Sequence, residues 1–439
     1  MKKLLALVLI VLMLCTCFAG CQAAPAGDGA GTNADPQNGG STTEPIEIVL
    51  WHTWTDHHEE ALNKLIDGFN ASQDNYVLVA EQQPYSESAT KLLQATSNGN
   101  GPDFTIMFPS DAINYITNGY MYDMTDLIND PENGIPDFRE QIVPGLYAEI
   151  TQWGADSIYM FPITIGSEVL YYNKTMFDAL NLEEPETWDD LENCAKAIYE
   201  AYGVAGFGTD SITDTFQGWL VQSGSDYIDV ETKQVTMDRD LAIEKLNWFA
   251  NGVQAGYFRL VGEDFYFSNP FGSQNVGMYI GAAAGIDFVY AAIPEGEGSF
   301  ELGCCPIPQF ETEDYISSWG STFVCLSKDE AHARGVLEFL KYMYQKDNLI
   351  DWAITFGALP ARMEAIEDSR FQEYASTNIA VKALTQEYNR IGYLPSIQGA
   401  ATVRTEIDKM VQSVAQGLCD ADTAYDSFLA ASNAALNDN

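Results

Sequence analysis

The chain has 439 residues, 46% of them hydrophobic, with 21 Lys and Arg against 63 Asp and Glu and a formal net charge of −42. That length exceeds one ordinary core and predicts two lobes, and that hydrophobic content excludes a chain disordered throughout. So large an excess of acids repels nucleic-acid phosphates and anionic lipid headgroups. It favours a soluble monomer and disfavours an anionic ligand unless Arg or Lys side chains gather around it.

Lys2 and Lys3 precede a continuous apolar run from Leu4 to Leu14. The run is too short to span a bilayer, which takes roughly 20 residues, so residues 1–20 are read as a signal peptide. Phe18-Ala19-Gly20-Cys21 resembles a lipobox with Phe in place of the usual Leu. On that reading Cys21 is lipidated and becomes the mature N-terminus; the alternative is an ordinary cleavage site beside an incidental cysteine. Residues 21–45 are rich in Ala, Gly, Thr, Asn, Pro and Asp without apolar periodicity, the composition of a flexible tether.

Ile46 to Trp51 reads as a buried strand, and Leu62, Leu65, Ile66 and Phe69 recur at helical spacing after it. Tyr76 to Ala80 reads as a second strand, Lys91-Leu92-Leu93 as part of a second helix, and Phe104 to Phe108 as a third strand after the turn at Gly99 to Asp103. This alternation predicts an α/β fold with a parallel sheet and ligands at the carboxyl ends of its strands. Pro162 to Tyr172 is another strand-like run. Thr187-Trp-Asp-Asp190 resembles a capping box opening a helix through Tyr199. Further helices are predicted around Leu241 to Phe249, over Ala331 to Tyr344 and over Arg404 to Leu418, and no internal repeat of fixed period appears.

Few residues point to catalysis. The four histidines are His52, His57, His58 and His332. His57-His58-Glu59-Glu60 is the one metal-like cluster, but consecutive residues point in different directions on a helix, and a solvated first turn accounts for them better. Neither a nucleophile elbow, a phosphate-cradling Gly-Lys-Ser/Thr loop nor a dinucleotide fingerprint is present. Beyond the leader and Cys21, Cys194, Cys304, Cys305, Cys325 and Cys419 fit neither a disulfide framework nor a zinc site. These features predict a protein that is not an enzyme and needs neither metal nor cofactor. With 63 acids, a glycosidase pair of opposed carboxylates stays open as an alternative.

Several stretches, in order, resemble the family 1 extracellular solute-binding proteins of ABC importers. They are Ile48 to Trp54, Asn98 to Asp103, Gly119 to Met124, Phe161-Pro162 with Leu170 to Lys174, Glu186 to Leu191, Asn275 to Met278, Leu337 to Lys341 and Gly357 to Arg362. Each is weak alone; their colinear order after a lipobox carries the resemblance. It implies a type II, two-lobed periplasmic-binding-protein-like fold with the ligand in the cleft between lobes. The first lobe is then 46–163 with 306–355, and the second is 164–305 with 356–439. Crossovers fall near Pro162 to Gly166, Cys304 to Phe310 and Ile354 to Gly357. Matching loops place Thr53, Trp54, Thr55, Tyr85, Phe108, Ser110 and Asp111 on the first side of the cleft. Trp219, Gln222, Gly281, Ala282, Trp319, Gly320 and Arg404 are the remaining candidates. The implied partners are a small-molecule ligand and the separate membrane subunits of an importer, with membrane contact through the lipid alone.

A sugar presents hydroxyls and patches of C–H, so its cleft needs aromatic platforms and carboxylate or amide hydrogen-bond partners. Trp54, Tyr85, Trp219 and Trp319 suit the platform, whereas Trp51, Trp188, Trp248 and Trp352 are expected in the core. Asp111 would accept ligand hydroxyls, or cap the helix that begins near it, a role open to Ser110 as well. Arg404 would meet a ligand or pair with one of the many acids. Val403-Arg404 resembles the glycerol-3-phosphate-binding branch of the family. The chain departs from that branch at Ala358, where an aromatic is usual, and at Gly281-Ala-Ala-Ala-Gly285, where the loop is usually rich in hydroxyls. The expected ligand is therefore a neutral mono- or oligosaccharide, with a glycerophosphodiester or a cationic solute as alternatives.

Overall fold

The computed structural model describes residues 44–154, 157–310, 314–327 and 329–438. The signal peptide, Cys21 and all but the last two residues of the tether lie outside the described residues. The first strand, β1 (Ile46–His52), buries Ile48 and Leu50 completely and pairs in parallel with β2 (Tyr76–Gln82) and β3 (Phe104–Met107). The helix Asp56–Ser72 between β1 and β2 buries the four apolar residues its periodicity picked out, Leu62, Leu65, Ile66 and Phe69. Removing such side chains from water contributes about 1.5–3 kcal/mol each. The helix Tyr85–Ser97 joins β2 to β3.

The sheet continues with β4 (Met160–Pro162), but β4 does not touch β3. A strand from much later in the chain, Thr322–Cys325, lies antiparallel between them, giving the order β2-β1-β3-late strand-β4. The second sheet holds β5 (Glu168–Asn173), β6 (Ala205–Thr209), β7 (Val276–Ala282) and β8 (Leu302–Cys305) in the order β8-β5-β7-β6, and the late strand of the first sheet is β9. All six residues of β5 are buried. The helix Trp188–Tyr202 covers this sheet, and its start is the expected capping box: Thr187 accepts from the Asp190 N–H, and the Asp190 carboxylate accepts from the Thr187 N–H.

The Pro162 to Tyr172 run is not one strand. It breaks into β4, a two-residue strand Thr164–Ile165 and β5, because the chain leaves one sheet and enters the other across residues 163–167. It returns across 306–321, between β8 and β9. It leaves again after the helix Lys346–Phe356, where Leu359 and Pro360 pair antiparallel with Ile165 and Thr164. The crossings pack tightly: a Cβ on Gly320 would stand 2.2 Å from the Thr164 carbonyl oxygen. Gly320 is thus placed by backbone approach at a crossing rather than by an exposed loop.

Behind the second crossing lies Glu387, fully buried, whose carboxylate accepts from the Ile307 N–H at 3.1 Å. Burial pushes its pKa up to about 8. Below about pH 4.5 the group is protonated both folded and unfolded. As the pH rises from there towards 8, the unfolded chain ionises while the folded chain holds its proton, so stability falls through that window. Glu387→Gln keeps an acceptor for Ile307 and removes the penalty. The variant should gain about 3 kcal/mol over the parent between pH 5 and pH 8. Urea denaturation of both proteins at the two pH values measures this, and equal pH dependence would refute it.

Candidate ligand-binding cleft

Between the two sheets lies a cleft of about 740 Å³, within the range of small-molecule sites. Its first wall is the start of the helix Pro109–Thr117, with Phe108, Ser110 and Asp111, joined by Glu149 from the helix Pro144–Ile150. Its base is the connection Tyr315 to Trp319 and the strap Tyr393 to Ser396. The opposite wall is formed by Ser211, Thr213 and Asp214 at the start of the helix Ile212–Gln222, and by Arg404, Thr405 and Asp408 on the helix Ala400–Ala415.

The strap is held by the first lobe. Gln152 accepts from the Ser396 N–H at 2.6 Å, the Trp153 indole N–H donates to the Ser396 carbonyl at 2.9 Å, and the Ser396 hydroxyl donates to the Pro109 carbonyl at 2.7 Å. Beneath it, Ile316–Ser317 pairs in parallel with Ile391–Gly392. A Cβ on Gly145 would stand 1.8 Å from the Ile391 carbonyl oxygen. That glycine lets the helix carrying Glu149 approach closely.

Charge in the cleft is one-sided. Asp111, Glu149, Asp214 and Asp408 line it, and among the described lining residues Arg404 is the one base. Arg404 is already engaged: its guanidinium donates to both Asp214 oxygens, at 2.6 and 3.0 Å, and to Gln217 Oε1 at 2.9 Å. Its burial would favour loss of the proton, but the bonds to Asp214 and that carboxylate's charge outweigh it, and the net shift is upward. Loss of water between the cleft walls raises the pKa of Asp111, although its side chain stays exposed. The buried Glu149 carboxyl is pushed up to about 8 by desolvation, and no described residue hydrogen-bonds it. The Tyr315 and Ser318 hydroxyls are also buried without a partner.

The candidates from sequence divide sharply. Phe108, Ser110, Asp111, Trp319 and Arg404 come together on this cleft. Neither Ser110 nor Asp111 is a helix cap, because the helix starts at Pro109 with Phe108 at the N-cap. Trp219 lies fully buried on a helix, packed edge-on against Trp188 and Trp248, and is a core residue rather than a platform. Gln222 is equally buried. It accepts from the Trp188 indole N–H at 2.7 Å and donates to the Tyr315 carbonyl at 2.9 Å, so its amide is consumed. Gly281 is buried at the end of β7, and Ala282 beside it accepts from the Tyr171 hydroxyl; neither lines the cleft. Trp54 packs against Trp352 and Phe356, with ring centres 4.9 and 5.4 Å apart, in the first lobe. Thr53 and Thr55 beside it also lie off the cleft, and Tyr85 opens the helix after β2 with 78% exposure. Gly320 lies at the crossing described above. Sequence reasoning missed Glu149, Asp214, Tyr315, Ser318 and Tyr393. The Ser-x-x-Asp pattern at Ser211 to Asp214, a helix-start signal, was the one cue available for any of them.

Two α/β sheets with a chain that crosses between them, and a cleft at the crossings, give the architecture of a two-lobed binding protein. The model of the bacterial extracellular solute-binding protein family matches residues 64–378, and the chain belongs to that family. It is similar to the sn-glycerol-3-phosphate-binding periplasmic protein UgpB of Brucella melitensis, 24% identical over 412 residues covering 89% of this chain and 93% of the relative. The UgpB of Rhizobium meliloti is 22% identical over 418 residues, covering 89% and 94%. Among solved structures, the cyclic alpha-maltosyl-1,6-maltose binding protein from Arthrobacter globiformis superposes with a TM-score of 0.80 at 20% identity, covering 90% of this chain and all of that one. The sugar-binding protein MalE from Xanthomonas citri does so with a TM-score of 0.77 at 16% identity, covering 89% and 97%. The chain is thus an extracytoplasmic solute-binding protein of an ABC importer. No helix among the described residues is long and apolar enough to cross a membrane.

The Arg404–Asp214 pair yields a direct test. The Asp214 side chain is 3% exposed and that of Arg404 38%. Arg404→Ala strands a buried carboxylate and should cost about 3 kcal/mol of stability. Asp214→Asn, which leaves the half-exposed Arg404 in contact with water, should cost less. Urea denaturation of the two variants gives the order, and the reverse order would refute the asymmetry.

Proposed function

We propose that this receptor captures a neutral saccharide in the cleft and delivers it to the importer's membrane subunits. The observation that carries the reading is the cleft's charge state. The one base among its described lining residues is neutralised by Asp214, while Asp111 and Asp408 and a row of hydroxyls remain to meet ligand hydroxyls. Phe108, 46% exposed, and Trp319 supply apolar faces for the C–H patches of a sugar ring. A phosphate would bring close to two negative charges into this field, and its binding usually takes several Arg or Lys donors. The ligand would enter the open cleft, and contacts from the second wall would favour closure by their affinity difference between open and closed forms. It would be released chemically unchanged.

A second reading, a glycerol phosphate, draws on the names of the relatives and on the start of the helix Ala400–Ala415 at the cleft, since helix N-termini attract anions. Calorimetric titration with maltotriose and with sn-glycerol 3-phosphate, at low and high salt, separates the two. The saccharide should bind with little salt dependence. Tighter binding of the phosphate that weakens steeply with salt would replace the first reading by the second.

The reading includes a lipid anchor at Cys21, supported by the Ala-Gly-Cys motif and the tether after it. Several buried acyl chains, at about 0.8 kcal/mol per CH₂, would hold the receptor at the membrane. Cys21→Ser should move the protein from the membrane fraction to the soluble fraction on cell fractionation; full retention in the membrane would contradict the anchor.

A further inference from the structure

Buried polar groups are nearly always hydrogen-bonded, so an unpartnered one in the wall of a binding cleft asks for a partner from the ligand. Three residues that line this cleft carry polar side chains without a partner among the described residues. Glu149 is 9% exposed and its carboxyl has no hydrogen-bond partner among the described residues. The Tyr315 hydroxyl and the Ser318 hydroxyl are buried and equally unpartnered. Close packing of the short helix Pro144–Ile150 on Ile391, which Gly145 permits, fixes where Glu149 projects.

We propose that Glu149 is the specificity-determining group of the cleft and binds a vicinal pair of ligand hydroxyls. The proposal rests on the saccharide reading and names the contact that orients the sugar. A protonated carboxyl donates one hydrogen bond and accepts another, the complement of two neighbouring hydroxyls. Desolvation keeps Glu149 protonated at neutral pH, so closing the cleft over it buries no net charge. The charged and titratable groups around it leave that state undisturbed. Across the cleft Asp214 and Arg404 neutralise one another, and desolvation alone, not the charge of Asp111 or Asp408, raises the Glu149 carboxyl. Tyr393 lies on the strap, and the turn Tyr388–Arg390 packs against the same helix with Arg390 directed to Asp314 at 3.6 Å.

The test is titration calorimetry of the whole extracytoplasmic chain with maltotriose, using the parent, Glu149→Gln and Glu149→Leu. Leu removes both donor and acceptor and should weaken binding about 30-fold, whereas Gln, which keeps one of each, should restore most of the affinity. Parent affinity should fall above pH 8 while the Gln variant stays flat. Thermal melts check folding independently: Leu should raise the Tm, because an unpaired buried carboxyl is removed. Parent and Leu variant binding maltotriose equally would overturn the role of Glu149 and leave the saccharide reading intact. A parent that binds sn-glycerol 3-phosphate and no saccharide would overturn that reading itself. If Gln weakens binding as much as Leu, and glucosamine binds better than glucose at pH 8, the carboxylate recognises a cation and the hydroxyl assignment is wrong.

Discussion

Arg404 reaches from the helix Ala400–Ala415 to the helix Ile212–Gln222 and holds both oxygens of Asp214 and the amide of Gln217. It ties together two segments nearly 200 residues apart in the chain, and the cleft's second wall is built on that tie. The same bonds neutralise the one base among the described lining residues. Ser211 completes the arrangement: its hydroxyl donates to the Asp214 carboxylate at 2.5 Å. An acid buried at the first turn of a helix is stabilised by the helix dipole as well as by the guanidinium, and this lets the pair sit at a largely closed surface.

Around this pair the structure keeps several carboxyls out of water. Glu168, 3% exposed on β5, is held well above the usual carboxylate range by burial first, and then by the charges of Asp214 and Asp210. Glu387 behind the second crossing and Glu149 in the cleft are raised by desolvation alone or chiefly so. All three lie near the segments where the chain passes between sheets. Neutral carboxyls there avoid the cost of burying charges that a chain with 63 acids and 21 bases could not pair. The receptor reading and the position of Glu149 share this origin: a very acidic chain closes a cleft most readily where its buried acids carry protons.

The tryptophans show how far sequence reasoning reaches. Trp188 and Trp352 were expected in the core and are there, each 2% exposed. The family resemblance puts Trp219 at the cleft. The segment is instead a helix with nine buried residues, and a large indole on such a helix is drawn into the aromatic cluster with Trp248 and Phe249. Trp54 lost its place to the neighbouring helix Lys346–Phe356, whose Trp352 and Phe356 cover it. Phe108, Ser110 and Asp111 reached the cleft because strand-end position is a local property: the residues after β3 must emerge at the sheet's carboxyl edge.

The sequence by itself determined the alternation of strands and helices, the helix faces that pack, the capping box at Thr187 and Asp190, the acidic charge and the family. Each depends on neighbours a few residues apart, through the periods of helix and strand or the reach of one side chain. The tertiary structure decided the insertion of Thr322–Cys325 between β3 and β4, the seat of Trp219 in the core, the pairing of Arg404 with Asp214 and the exposure of Glu149 to the cleft. These depend on contacts between segments some thirty to more than two hundred residues apart, and on the water those contacts exclude, which no local pattern encodes.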